Sequence, residues 1–163
     1  MIKAAPRTSH PIGDAATGLA EVAEVAESVR LSVTRLARIL RQQDGSDLTP
    51  SATSALAMVH HHGPLTLGEL ATREHVSAPT VTRIVDALQR AGLVRRTASP
   101  NDGRVVFVSV TDKGKRLVLD ARRRRTQWLV EHLATLSPED VAALQHAAPV
   151  LERLVAGATE SQP

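Results

Sequence analysis

The sequence has no cysteine among its 163 residues, which excludes disulfides, cysteine-based zinc sites and thiol redox sensing. Aromatic side chains are almost as scarce: Phe107 and Trp128 make up 1% of the chain. Proteins that grip single-stranded nucleic acid stack its bases on aromatic side chains. A nucleic-acid partner of this chain is therefore expected to be a duplex. No apolar run approaches the ~20 residues of a membrane span. The opening stretch, MIKAAPRTSHPIGDAATG, lacks the apolar centre of a secretory signal, so a cytoplasmic protein with a disordered tail over residues 1–14 is expected. Catalytic patterns are missing too. There is no G-x-S-x-G, no glycine-rich phosphate loop and no H-E-x-x-H, so neither an enzyme nor a bound cofactor is expected. The run His60 to His62 does not suit a metal. Successive helical residues point about 100° apart, and three in a row cannot converge on one ion.

What the chain does contain is 42% hydrophobic residues, mostly Ala, Leu and Val, with 23% charged, a globular composition. The formal net charge is only +3, but from Pro64 to Arg116 there are nine Lys and Arg against five Asp and Glu. A cationic surplus held in the middle of the chain points to a polyanionic partner there.

Helical periodicity dominates the pattern. Leu19, Val22, Ala26, Val29, Val33, Leu36 and Leu40 recur at steps of three and four, predicting one long helix within 15–46. Thr49-Pro50 opens a second helix, as N-cap and first helical residue, and Gly63-Pro64 stops it. Thr66 and Glu69 are spaced as a capping box for a third. Ser77 is the expected N-cap of a fourth, in which Val81, Ile84, Val85 and Leu88 face inward and Gly92 ends the helix. Residues 93–110 then read as a β-hairpin: SPNDGR is rich in turn formers, and VVFVSV is β-branched and aromatic. Two short helices, a tight turn and a hairpin are the order of a winged helix-turn-helix. Thr111 caps a further helix, Ser137-Pro138 starts the last, and residues 157–163 are expected to be a disordered tail. The fold class is thus mainly α with a small β-wing: a winged helix-turn-helix lobe at 47–111 between N-terminal and C-terminal dimerisation helices, 15–46 and 112–156.

On the outward part of the fourth helix lie Ser77, Pro79, Thr80, Thr82 and Arg83. Recognition helices present such N-terminal residues to base edges in the major groove, where Thr and Arg are typical readers. Arg73 joins them as a candidate DNA contact. A tight turn needs nothing long and cationic, yet Arg104 stands at the hairpin tip. A narrow minor groove concentrates negative potential and attracts an inserted Arg. Asp102, two residues earlier, is able to accept a hydrogen bond from that guanidinium and orient it.

The stretch from Leu67 to Leu117 resembles the MarR (multiple antibiotic resistance regulator) family of winged-helix transcription factors. The resemblance is carried by GELA, S-x-P-T-V-T-R-x-V-D-x-L, GLV-R-R, the D-x-R of the wing and T-x-x-G. It implies an obligate homodimer on a pseudo-palindromic operator, usually a repressor released by a small, often aromatic, acid. It also implies that Thr82 and Arg83 belong to the DNA-reading helix and Arg104 to a minor-groove wing. The chain departs from the pattern at Ser99, where many members carry an acidic residue. The rival reading is a winged helix used as a protein-interaction module without DNA binding.

Two further expectations concern the helices outside the lobe. An acid effector is expected where the first, second and fifth helices meet, with Arg30, His62 and Trp128 lining its site. The ARRRR run from Ala121 to Arg125 spreads around a whole helix circumference and reads as a solvated face, with Asp120 and Glu131 as pairing partners. Leu19, Val22, Val29 and Val33, with Leu129, Leu133, Val141, Leu144, Leu151 and Leu154, exceed what the lobe is able to cover. A second copy is expected to bury them and to set two recognition helices about 34 Å apart.

Overall fold

The structure, a computed structural model, describes residues 12–100 and 105–160. Its elements are α1 (Ile12–Gln42), α2 (Pro50–His62), β1 (Leu65–Thr66), α3 (Leu67–Arg73) and α4 (Ala78–Arg90), followed by β2 (Val94–Ala98), β3 (Val106–Val110), α5 (Asp112–Leu133) and α6 (Pro138–Glu160). Two compact units divide the chain, Met1–Gln42 and Gln43–Pro163.

In the first unit α1 begins at Ile12, inside the segment expected to be a disordered tail. Leu19, Val22, Val25, Val29 and Val33 all remain exposed. Arg30 pairs with Glu27 at 2.5 Å along the same helix.

The second unit has the core. Leu56 and Val59 of α2, Leu70 of α3, Val81, Val85 and Leu88 of α4 and Val108 of β3 are each no more than 1% exposed. Side chains of that size stabilise by about 1.5–3 kcal/mol apiece when fully buried. Caps set the helix starts. Thr49 accepts from the Ala52 N–H at 3.2 Å, and Thr111 accepts from the Gly114 N–H at 3.1 Å. The three antiparallel strands lie in the order β1-β3-β2. β1 is an addition to the sequence reading: two residues show no period, and Leu65 and Thr66 become a strand only by pairing with Val108 and Phe107.

Other departures have local causes. Residues 43–46, grouped by sequence with the first helix, fall in the second unit. The reason is the arginine run, which is not simply solvated. Arg125 grips the Asp44 carboxylate with Nε and Nη2, while Arg124 donates to the backbone carbonyls of Gln43 and Asp44. Asp44 is 6% exposed, and its carboxylate raises the Arg125 pKa further above the usual arginine range, mainly by hydrogen bonding. Glu131, expected as an ion-pair partner, accepts from Gln127 instead. At the other end α6 runs on to Glu160, past Gly157 where disorder was expected. One glycine costs a helix about 1 kcal/mol relative to alanine, and Ala156 and Ala158 flank it. α6 also accommodates Pro149 in its interior, which has no N–H to give the preceding turn.

Candidate nucleic-acid interface

The capping box at the start of α3 fixes the first of the two helices. The Glu69 carboxylate accepts from the Thr66 N–H at 2.7 Å and the Thr66 hydroxyl at 2.8 Å, while the Glu69 N–H donates back to Thr66 Oγ1 at 3.2 Å. Those bonds, the backbone one foremost, hold the Glu69 carboxyl below its ordinary value of 4.5. The turn to α4 passes through His75 at φ 52°, and α4 enters behind Ser77 with Pro in its first turn.

Val81, Val85 and Leu88 seat α4 on the core, and that choice of face decides what points outward. Ser77, Pro79, Thr80 and Arg83 are exposed, as is Arg73 at the end of α3; Thr82 is half-buried. Two hydroxyls are already engaged. Ser77 Oγ and Thr80 Oγ1 share a hydrogen bond of 2.9 Å, and Thr82 Oγ1 donates to the Ala78 carbonyl at 2.9 Å. Ser77 thus occupies the N-cap position without capping a backbone N–H through its side chain, because its hydroxyl turns to Thr80 instead.

The hairpin leaves the core beside α4. Its strands pair from Val94↔Val110 to Ala98↔Val106, and the Ser99 N–H donates to the Val105 carbonyl at 2.8 Å. Asp102 and Arg104 lie outside the described residues. The inner end of the hairpin is locked by the T-x-x-G segment. Thr111 Oγ1 donates to the Gly92 carbonyl at 2.7 Å. A side chain at Gly114 would place its Cβ 2.2 Å from the Leu93 carbonyl oxygen, so only glycine lets α5 approach this closely. Gly92 itself turns the chain at φ 71°, a left-handed conformation that glycine adopts without strain.

One side chain that ties the hairpin to α4 was missed in the sequence. Arg96, on β2, donates from Nη1 to Asp86 Oδ1 at 2.6 Å and to Gln89 Oε1 at 2.8 Å on α4. Its signal was present in GLVRR, where one of two adjacent arginines on a strand must face inward, but the partner ten residues back was not evident.

Away from this surface, a cavity of about 170 Å³ lies between α2 and α5, lined by Leu56, Val118 and Ala121 together with His60, His61, Arg122 and Arg125. Neither His62 nor Trp128, the expected lining residues, is part of it. His62 is exposed at the end of α2, and Trp128 stacks on His132 one turn along α5, with ring centres 3.7 Å apart. Arg30 belongs to the other unit and to Glu27. His60 Nδ1 is buried without a hydrogen-bond partner. Among the described residues no three His, Cys, Asp or Glu side chains come together as a metal site. No described helix is long and apolar enough to cross a membrane.

Two short helices with a polar outer first turn, followed by a hairpin at their side, make a winged helix-turn-helix, the fold of a DNA-binding transcriptional regulator. Comparison with known proteins agrees and narrows it. The sequence pattern of the MarR family matches residues 48–106. The HTH-type transcriptional regulator Mb0904 of Mycobacterium bovis is 42% identical over 134 residues, 82% of this chain and 94% of that protein. The HTH-type transcriptional repressor MdtR of Bacillus subtilis is 29% identical over 108 residues, 66% of this chain and 70% of that protein. A MarR family protein from Bacillus stearothermophilus has a solved structure with a TM-score of 0.70 at 27% identity, covering 83% of this chain and 96% of its own. The chain belongs to the MarR family: it is a DNA-binding transcriptional regulator and not an enzyme.

Proposed function

We propose that the protein is a homodimeric repressor of a pseudo-palindromic operator, released by a small acid with an apolar or aromatic body. The observation that carries this reading is the division of α4 into a fully buried aliphatic face and an exposed first turn and a half bearing Ser77, Pro79, Thr80 and Arg83. Arg83 is free to reach base edges in the major groove. Thr82, with its hydroxyl held by Ala78, presents its methyl group instead, suited to apolar contact with thymine. Arg73 contacts the phosphate backbone, and Arg104, oriented by Asp102, enters the minor groove.

The dimer is supported by apolar surface left open on both units. Leu19 and Val22 of α1 are 72% and 66% exposed, and Leu154 and Val155 of α6 are 64% and 65% exposed. Apolar surface on that scale marks an interaction site. The name of MdtR, a repressor, supports the direction of regulation. For the effector, the cavity between α2 and α5 is on the order of the ~150 Å³ that admits benzene. The Arg122 guanidinium on its wall suits a carboxylate, Arg125 being held by Asp44, and His60 Nδ1 is a buried polar atom still in want of a partner.

Sequencing duplex fragments selected by the purified protein would yield the operator. Arg83→Ala should then cost about 1–3 kcal/mol of operator binding and relax the preference at its base positions. A variant that binds the selected fragment as tightly as the parent, with unchanged preference, overturns the assignment of α4.

A further inference from the structure

For one element to lie in a major groove while another reaches the adjacent minor groove, the two need a fixed mutual angle. Arg96 is placed to set it. It is the middle residue of β2 and stands opposite Val108 in the ladder, which is fully buried. Directly opposite residues share a face of the sheet. Arg96 is therefore directed to the core side of the hairpin, unlike its exposed neighbour Arg95, and its side chain is only 24% exposed. From there it meets Asp86 and Gln89, which lie three residues apart on one face of α4. One guanidinium nitrogen binds both acceptors, at 2.6 and 2.8 Å.

We infer that Arg96 is a positioning residue for operator recognition, whose bonds to Asp86 and Gln89 fix the angle between the reading helix and the wing. The inference rests on the assignment of α4 and the hairpin as DNA-contacting elements. Charge-assisted hydrogen bonds carry direction as well as energy. Each strand residue beyond Arg96 lengthens the lever by about 3.3 Å, so a small rotation at this root grows along the hairpin. Releasing the anchor leaves the wing to be oriented during binding, which lowers affinity through lost preorganisation.

Asp86→Ala separates positioning from bulk electrostatics. It removes a negative charge from a DNA-binding surface, so attraction alone would tighten all DNA binding. Positioning requires the opposite for the operator: about tenfold weaker binding to the selected fragment, with binding to random duplex of the same length unchanged or stronger. Arg96→Met should lose a similar factor, and Arg96→Lys, whose ammonium is able to donate to both acceptors, should recover most of it. Arg83→Ala is measured alongside. If Asp86→Ala binds the operator as tightly as the parent while Arg83→Ala loses it, Arg96 has no positioning role and the reading of α4 stands. If Arg83→Ala is silent as well, the reading fails and this inference falls with it. Should Asp86→Ala fail to fold, equal operator affinities for Arg96→Met and Arg96→Lys overturn the inference.

Discussion

α4 and α6 are both helices with aliphatic side chains at helical spacing, and they use them in opposite ways. Val81, Val85 and Leu88 of α4 are 0% exposed, whereas Val141, Leu144, Val150 and Leu151 of α6 retain 39% to 49% exposure. The same periodicity thus has two destinations. α4 finds α2 and α3 within its own unit and becomes a packed platform with an exposed polar outer face. α6 has no such cover in its unit. An apolar stripe identifies a face that must be covered, and the neighbouring elements decide whether the chain itself or another molecule covers it.

Truncation at the two helices sharpens the contrast. Leu88→Ala removes a fully buried side chain from the centre of the lobe and should cost about 2–5 kcal/mol, lost transfer energy plus a residual cavity. Thermal or urea unfolding would register it. A loss under 1 kcal/mol would mean that α4 is not the packed platform described. At α6 the informative change is a charge. Leu151→Glu, and likewise Val29→Glu on α1, should raise the dimer dissociation constant by about tenfold to a hundredfold, ~1.4–2.8 kcal/mol. Operator binding should weaken with it, because half-site spacing needs both copies. Sedimentation equilibrium reads the first effect and operator titration the second. An unchanged dimer in both variants would place the interface elsewhere.

Signals confined to a few neighbouring residues were legible in the sequence. The Thr49, Thr66 and Thr111 caps, the inward face of α4 and the hairpin all rest on short-range rules of spacing and backbone geometry. What escaped depends on partners distant in the chain. Arg124 and Arg125 looked like a solvated run because Asp44, the group they hold, lies about 80 residues away. Leu65 and Thr66 carry no strand period, and their pairing partners come some 40 residues later. The candidate site was legible as a set of exposed residues on α4, but the side chain that ties helix to wing was not.

The smallest expected effect belongs to the capping box, and it tests whether α3 is set by local chemistry while α6 depends on assembly. In the folded protein the Thr66 backbone N–H, followed by the Thr66 hydroxyl, holds the Glu69 carboxyl below 4.5. A carboxylate whose pKa is depressed on folding stabilises the fold above its unfolded pKa, and that stabilisation is lost as pH falls through the folded value. Glu69→Gln keeps an oxygen able to accept from the Thr66 N–H but removes the charge and the titration. The parent should therefore melt above the variant near pH 7, and the gap should begin to close as pH drops past 4.5 and vanish once Glu69 is protonated in the folded state. The carboxylates shared by both proteins drop out of this difference. Glu69 is exposed, so the gap should amount to a small shift in melting temperature, reduced by salt. A gap that stayed constant from pH 7 to pH 3 would show that Gln acts through packing and that the carboxylate adds nothing to the cap.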